Sequence, residues 1–366
     1  MKSYRVIGLM SGTSLDGLDI AYCEFTKEEL TNQWEFSIVH TACIEYEYEF
    51  KQQLKESITY HQNDLNQLDI DFGKWIGGHV KNFIDKHQLE VDLISSHGHT
   101  VHHQPQLGIT VQIGKGTEIA RITGIKTVSD FRSLDVKLGG EGAPLVPIGD
   151  LLLFSEYEFC LNLGGISNIS YDDHTNVRKA YDVSIANMLL NYLSQKAGKV
   201  YDYGGNLARS GKLDISLLNN LNALDFYQQE GPKSLGYEWF VTAVKPLFEH
   251  SLLSIEDQLH TACEHIAYQL VKTIKHQDKQ HSKVLVTGGG AFNTFLISLI
   301  QKGLGASVKV VIPEPSLISY KEALIFAFMG LLRTLHINNC LSSVTGARID
   351  SCSGHIAVPP VFQNVE

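Results

Sequence analysis

The chain has 366 residues, 43% of them apolar and 19% charged, with a formal net charge of −10. This length predicts two compact domains, and this composition excludes an intrinsically disordered chain. The negative charge argues against a nucleic-acid backbone or an anionic membrane as the main partner. Any phosphate must then be held locally, by backbone N–H groups, helix N-termini and a metal ion. The six cysteines (Cys23, Cys43, Cys160, Cys263, Cys340, Cys352) include no C-x-x-C and read as free thiols of a reducing compartment. The apolar start turns polar at Ser11, too soon for a signal peptide, and no run reaches the ~20 apolar residues of a membrane span. A cytoplasmic location is expected.

Strands and helices alternate along the chain. Tyr4–Met10 predicts a buried strand and Leu18–Phe25 its partner, joined by Ser11-Gly12-Thr13-Ser14-Leu15-Asp16-Gly17, a turn rich in residues that tolerate unusual backbone angles. Tyr46–Phe50 reads as a solvated edge, and Phe50–Tyr60 and Phe72–His87 as helices. Asp92–Ser96 predicts a short strand ending at His97-Gly98-His99-Thr100, with further strands at Thr110–Ile113 and Lys126–Val128. Leu138–Pro144, with three glycines, is irregular and predicts a crossing between domains.

The pattern then restarts. Phe159–Leu163 reads as a strand, Gly164-Gly165-Ile166-Ser167-Asn168 as a turn and Ile169–Tyr171 as the returning strand, as a duplicated domain would leave behind. Ile185–Ala197 and Thr261–Lys275 read as helices. Lys283–Val286 forms a strand running into Thr287-Gly288-Gly289-Gly290-Ala291-Phe292-Asn293, with a helix from about Thr294 and a last helix over Tyr320–Leu335.

Three strand-ending turns make the case for a nucleotide. Ser11–Gly17 offers backbone donors, hydroxyls and Asp16; a carboxylate beside phosphates needs an intervening Mg²⁺, so Asp16 is the candidate metal ligand and Asp19 a weaker one. Gly164–Asn168 would hold the other side of a phosphate chain, and Gly288–Gly290 would pass against a base and ribose. Each alone also reads as an ordinary tight turn. There is no G-x-x-x-x-G-K-[ST] and no G-x-G-x-x-G.

The segment from Gly8 through Ser11-Gly12-Thr13-Ser14-Leu15-Asp16-Gly17 to Asp19 resembles the N-terminal signature of the anhydro-N-acetylmuramic acid kinases. The resemblance continues through Ser96–Val101, Val111–Gly114, Asp130-Phe131-Arg132, Gly139–Pro147, Asn162–Asn168, Gly288–Asn293, Lys321-Glu322-Ala323 and Ser343–Ala347, in order over the whole chain. It implies an α/β fold: two ribonuclease-H-like domains of the actin-like ATPase and sugar kinase kind around a central ATP cleft. The expected boundaries are 1–140 completed by 336–366, and 141–335. It also implies an ATP-dependent enzyme of peptidoglycan recycling that opens 1,6-anhydro-N-acetylmuramic acid and phosphorylates O6, with ATP and Mg²⁺. A sugar and ATP would be the partners, with no nucleic acid and no membrane, and a homodimer is allowed.

By the same resemblance Ser11, Gly12, Thr13, Ser14, Asp16, Gly17, Gly164, Gly165, Asn168, Gly288, Gly289, Gly290 and Asn293 would meet ATP, with Asp16 on Mg²⁺. His97, His99, Thr100, Arg132 and Glu322 would meet the sugar, and Asp182 would be the catalytic base. On the residues alone, Asp182 is either a helix cap or a carboxylate aimed at a ligand. Glu322 reads equally as a first-turn helix residue. Arg132 is either a surface ion pair or a fork for a carboxylate. The family pattern near the base is close to F-D-T-G-P-x-N. This chain, with Asp182-Val183-Ser184-Ile185-Ala186-Asn187, keeps the Asp and Asn without the Thr-Gly-Pro, and it carries His99 where the family has Gln. His97, His99, His102 and His103 also suggest a zinc site, but no further ligand is evident. The competing readings are a kinase of another anhydro or amino sugar and a non-catalytic ATP-binding regulator of the same fold.

Overall fold

A computed structural model describes residues 2–12, 15–249, 251–279 and 281–360. The chain divides into two compact units, residues 1–153 with 320–366, and residues 154–319. The first unit thus takes in residues 141–153 and 320–335, which the sequence reading placed in the second. These two segments are tied to each other by the buried ion pair of Lys321 with Asp150, 2.7 Å apart and each side chain at most 7% exposed.

In the first unit, β1 (Lys2–Ser11), β2 (Leu18–Lys27) and β3 (Trp34–Ile44) form an antiparallel meander. β4 (Leu93–Ser96) joins β1 in parallel, β5 (His99–Gln104) and β6 (Ile109–Ile113) make a separate hairpin, and β7 (Thr127–Ser129) adds to β4 in parallel. The sheet order is β3-β2-β1-β4-β7, with the short strand His355–Ala357 outermost beside β7. Its helices include α1 (Tyr48–Glu56), α2 (Gln62–His87) and α3 (Gly116–Thr123).

α2 begins ten residues before the predicted start. The stretch Gln62–Asp71 looks polar, yet Leu65, Leu68, Phe72, Ile76 and Val80 recur at helical spacing and are buried. Tyr46, expected at a solvated edge, is 8% exposed and lies in an aromatic cluster with Phe50, Phe72 and Trp75.

The helix Pro315–Thr334 lays its residues from 323 onward on the β1–β2–β3 sheet. Phe328 packs on Phe25 and Trp34, with ring centroids 5.4 and 5.1 Å away. Gly8 makes this approach possible: a Cβ there would overlap the backbone carbonyl of Ala323. Contrary to the sequence reading, this helix is long and apolar enough to cross a membrane by length and composition, but 67% of its apolar window is buried in protein. Lys321 and Glu322 on it also fit a core helix better than a span.

The second unit repeats the plan. β8 (Phe159–Leu163), β9 (Ile166–Asp172) and β10 (Arg178–Ile185) are antiparallel, and β11 (Ser282–Thr287) and β12 (Val308–Val311) follow in parallel, in the order β10-β9-β8-β11-β12. α4 (Asn187–Lys196), α5 (Ile255–His276) and α6 (Thr294–Leu304) pack around this sheet, with Phe159, Leu161, Leu189, Leu259, Ile266 and Leu296 in one apolar core. Two sheets of three antiparallel and two parallel strands are the doubled ribonuclease-H-like α/β arrangement expected from the sequence.

Two local readings change. The turn after β8 is only Gly164–Gly165, since β9 already starts at Ile166 and Asn168 is a strand residue. Ile185 closes β10 instead of opening a helix. None of the six cysteines is joined in a disulfide.

Candidate functional site

In the second unit the register aligns one row of polar residues across four strands. Thr287 on β11 pairs with Asn162 on β8, Asn162 with Asn168 on β9, and Asn168 with Asp182 on β10. Cross-strand partners share a face, so the row presents hydroxyl, two amides and a carboxylate side by side. Beside it lie the two glycine turns. Gly164 and Gly165 accept through their carbonyls from the backbone N–H of Asn187 (3.1 Å) and of Ala186 and Met188 (2.9 and 3.0 Å), lacing the turn to the start of α4. Gly288 has φ +78°, and a Cβ there would overlap Asn162 Oδ1 and meet the Leu163 carbonyl at 2.9 Å. Only glycine fits. Gly289 is different. The nearest atom to a Cβ there is Asn187 Nδ2 at 3.7 Å, an ordinary contact distance, so this position has room for a side chain.

Asp182 is not a helix cap. It is a mid-strand residue beside a β-bulge that falls between Asp182 and Ser184. Its backbone N–H donates to the Lys233 carbonyl at 3.0 Å, and its Oδ2 accepts from Leu235 N–H (2.9 Å) and Ser234 O–H (3.3 Å). Burial raises its pKa above the usual carboxylate range, and those two hydrogen bonds draw it partly back. The Asn293 Oδ1 accepts from Leu296 N–H at 3.0 Å and caps α6, so this oxygen is engaged within its own helix.

In the first unit the turn after β1 is anchored by a buried chain of polar groups. Tyr46 O–H donates to Ser11 Oγ (2.7 Å), which faces His99 Nδ1 at 3.4 Å. Ser11 and His99 are 1% and 4% exposed. The Ser11 hydroxyl, expected on phosphate, is thus engaged internally. Burial raises the Tyr46 pKa and lowers that of His99, so both are neutral. Gly12 accepts from Leu15 N–H at 3.2 Å, Asp16 is exposed and Gly17 is buried. Thr13 and Ser14 lie outside the described residues. Asp19 on β2 has its pKa raised by burial; the Cys43 thiol counters this and Asp16 adds to it.

Arg132 is no surface ion pair. Its Nε and Nη2 donate to His97 Nε2 (3.2 and 2.9 Å), and its Nη1 donates to the Gly142 carbonyl at 2.6 Å. His97 Nδ1 lies 2.9 Å from the Gly98 carbonyl, which fixes the tautomer: Nδ1–H donates and Nε2 accepts. Burial first, then the Arg132 charge, lower the His97 pKa to about 3. Glu322 reaches solvent, yet enough protein surrounds it to strip much of its hydration. That effect, then Asp19, raises its pKa, while Lys321 and Arg132 oppose it. Thr100 accepts weakly from Gln112 Nε2 at 3.5 Å. The irregular segment after residue 138 is pinned by buried Asp135, which accepts from Gly142 N–H and Thr345 O–H, each at 2.8 Å.

A cavity of about 370 Å³ in this unit is lined by Asp69, Gln112, Lys115, Asp130 and His355 among others; of the expected sugar contacts only His97 lines it. Among the described residues no three His, Cys, Asp or Glu side chains come together to hold a metal, which removes the zinc reading.

The unit-two residues Gly164, Gly165, Asn168, Asp182 and Gly288–Gly290 are therefore brought together, as are Ser11 with His99, and His97 with Arg132. The sequence reading missed Asn162 and Thr287, which only the strand register reveals. It also missed Ser234 and Leu235, for which the turn-like run Gly231-Pro232-Lys233-Ser234-Leu235-Gly236 was the available signal.

A family model described as anhydro-N-acetylmuramic acid kinase matches residues 4–359. The anhydro-N-acetylmuramic acid kinase of Synechococcus elongatus is 35% identical over 94% of this chain and 96% of its own length. That of Mannheimia succiniciproducens is 36% identical over 97% and 99%. Among solved structures, a ROK hexokinase from Thermus thermophilus aligns at 11% identity and TM-score 0.38 over 89% of this chain and 99% of that chain, too loosely to add to the fold. With a match running almost end to end on both sides, the chain belongs to the anhydro-N-acetylmuramic acid kinase family.

Proposed function

We propose that this protein is an ATP-dependent kinase that opens 1,6-anhydro-N-acetylmuramic acid with water and phosphorylates the freed O6, giving N-acetylmuramic acid 6-phosphate for peptidoglycan recycling. The observation that carries the reading is Asp182: a carboxylate of raised pKa, fixed through one oxygen, in line with Asn168 and Asn162 and beside two glycine turns. In the anhydro sugar O6 is tied to C1, so a base is required before any phosphoryl transfer. Asp182 takes a proton from water as the water oxygen bonds C1. The C1–O6 bond breaks, its electron pair goes to O6, and O6 forms the bond to the γ-phosphorus as ADP leaves. A base whose pKa lies closer to the working pH than a free carboxylate suits that step.

The glycine turns carry the phosphate reading. Gly289 leaves space for close approach, and main-chain N–H groups stabilise phosphate charge. Mg²⁺ fits as a partner of ATP: exposed Asp16 and its repulsion of Asp19 would be relieved by a cation, and with no three-ligand group among the described residues the ion would need ligands from the nucleotide. It would supply charge neutralisation at the transferring phosphoryl group. Glu322 and Arg132 are assigned to the sugar, with the two Arg132 N–H bonds left after His97 and Gly142 available to an anionic group such as a lactyl carboxylate. Cytoplasmic location follows from the place of this reaction in recycling.

The test is ADP release with 1,6-anhydro-N-acetylmuramic acid, with N-acetylglucosamine and with no sugar. The proposal expects strong stimulation by the first alone. Stimulation by N-acetylglucosamine only would favour another sugar kinase, and nucleotide binding without any stimulation would favour a regulator.

A further inference from the structure

Asp182 is held by a segment that neither the glycine turns nor the strand pairing accounts for. Gly231 sits against the face of the Tyr181 ring, where a Cβ would lie 2.7 Å from ring atoms. Lys233 is tied down by its ammonium, which donates to the Phe226 and Gln229 carbonyls at 2.9 Å each and lies 4.3 Å from the Phe226 ring centroid. The Lys233 carbonyl takes the Asp182 N–H, and the next two residues turn both their donors onto one carboxylate oxygen, Oδ2. Oδ1 has no hydrogen-bond partner among the described residues. The carboxylate is therefore anchored at one oxygen and open at the other.

We propose that Gly231–Leu235 is a clamp that orients the base, with Ser234 as a positioning residue: its O–H and the Leu235 N–H fix Oδ2 so that Oδ1 faces the attacking water. The inference rests on the reading of Asp182 as the base. The clamp is asymmetric for a chemical reason. Two donors on the same oxygen restrain rotation about the Cβ–Cγ bond and leave one lone-pair-bearing atom free, which is what proton abstraction needs. Ser234 is exposed, so removing its hydroxyl takes no packing from the core, and its O–H donates to Asp182 Oδ2. Among the described residues, burial, Leu235 and Ser234 account for the shift of this carboxyl, with no charged group among the causes. Of the groups nearby, the Lys233 ammonium is spent on the Phe226 and Gln229 carbonyls, the Tyr181 hydroxyl faces that of Tyr171 at 3.3 Å, and the Lys179 ammonium pairs with Asp173 at 3.6 Å.

The experiment compares Ser234→Ala, Ser234→Thr and Asp182→Asn in steady-state turnover of ATP with 1,6-anhydro-N-acetylmuramic acid across pH. Losing a donor that favours the charged carboxylate raises its pKa, so Ser234→Ala moves the acid limb of the kcat profile to higher pH. It also lowers kcat about tenfold, with the KM for ATP and the thermal midpoint unchanged. Ser234→Thr restores both. If Asp182→Asn abolishes turnover while Ser234→Ala leaves kcat and the acid limb where they were, the clamp is refuted and the base stands. If Asp182→Asn retains full turnover, the base assignment falls and the clamp with it.

Discussion

Replacing Lys321 by Met tests how the helix Pro315–Thr334 is seated in the first unit. The Lys321 ammonium lies 2.7 Å from Asp150 Oδ1, with side-chain exposures of 7% and 5%. A buried pair adds little over an apolar pair of the same shape, but removing one partner leaves an uncompensated buried charge and costs about 3–5 kcal/mol. Methionine matches the aliphatic length of lysine, so most of that loss is electrostatic. Lys321→Met should therefore lower the stability of the first unit by about 3–5 kcal/mol, and Lys321→Met with Asp150→Leu should recover much of it. Trp34 and Trp75 lie in the first unit and Trp239 in the second, so urea unfolding followed by tryptophan fluorescence in a Trp239→Phe background reports on the first unit alone. A single variant within about 0.5 kcal/mol of the parent, or a double variant as costly as the sum of the two singles, would refute the reasoning.

Gly288→Ala should destabilise the second unit, because φ +78° and the Asn162 and Leu163 atoms leave no room for a Cβ; a thermal midpoint equal to the parent's would contradict this. Gly289→Ala should keep the parental midpoint and weaken ATP affinity in calorimetry, and unchanged affinity would remove this turn from the nucleotide reading. Burial lowers His265 from 6.5 to about 3, so below pH 6.5 the unfolded chain binds one more proton than the folded one at this site. Stability of the second unit should then fall as pH drops from 6.5 toward 3, by about 1.4 kcal/mol per pH unit from this residue. His265→Gln in a Trp34→Phe, Trp75→Phe background, where fluorescence reports Trp239 alone, should flatten that slope, and an unaltered slope would refute the linkage.

How much of this was readable in the chain differs by the range of the interaction. The hairpin of Tyr4–Met10 with Leu18–Phe25, the second hairpin from Phe159, and the glycine run after Val286 were legible because local turn chemistry and short apolar runs specify them. Trp34–Ile44 escaped because as an edge strand it is largely half-exposed and its pattern is weak. Asp182 could be singled out but not placed, since whether Asp182-Val183-Ser184-Ile185 continues a strand or opens a helix depends on pairing with β9. The row from Thr287 to Asp182 is a matter of register, which a sequence does not state. Ser11 and Asn293 sat in motifs that suggested ligand contacts. Their internal partners are distant or cryptic in sequence: Tyr46 and His99 for Ser11, and the start of α6 for the Asn293 Oδ1.

The claim that water opens the sugar at C1 before O6 takes the phosphoryl group can be measured directly. Turnover of 1,6-anhydro-N-acetylmuramic acid in oxygen-18 water, stopped by borohydride so that the C1 oxygen cannot exchange, should give a 6-phosphorylated product with one heavy oxygen at C1 and none on the phosphate. Heavy oxygen on phosphate, with the sugar still in its anhydro form, would contradict the account.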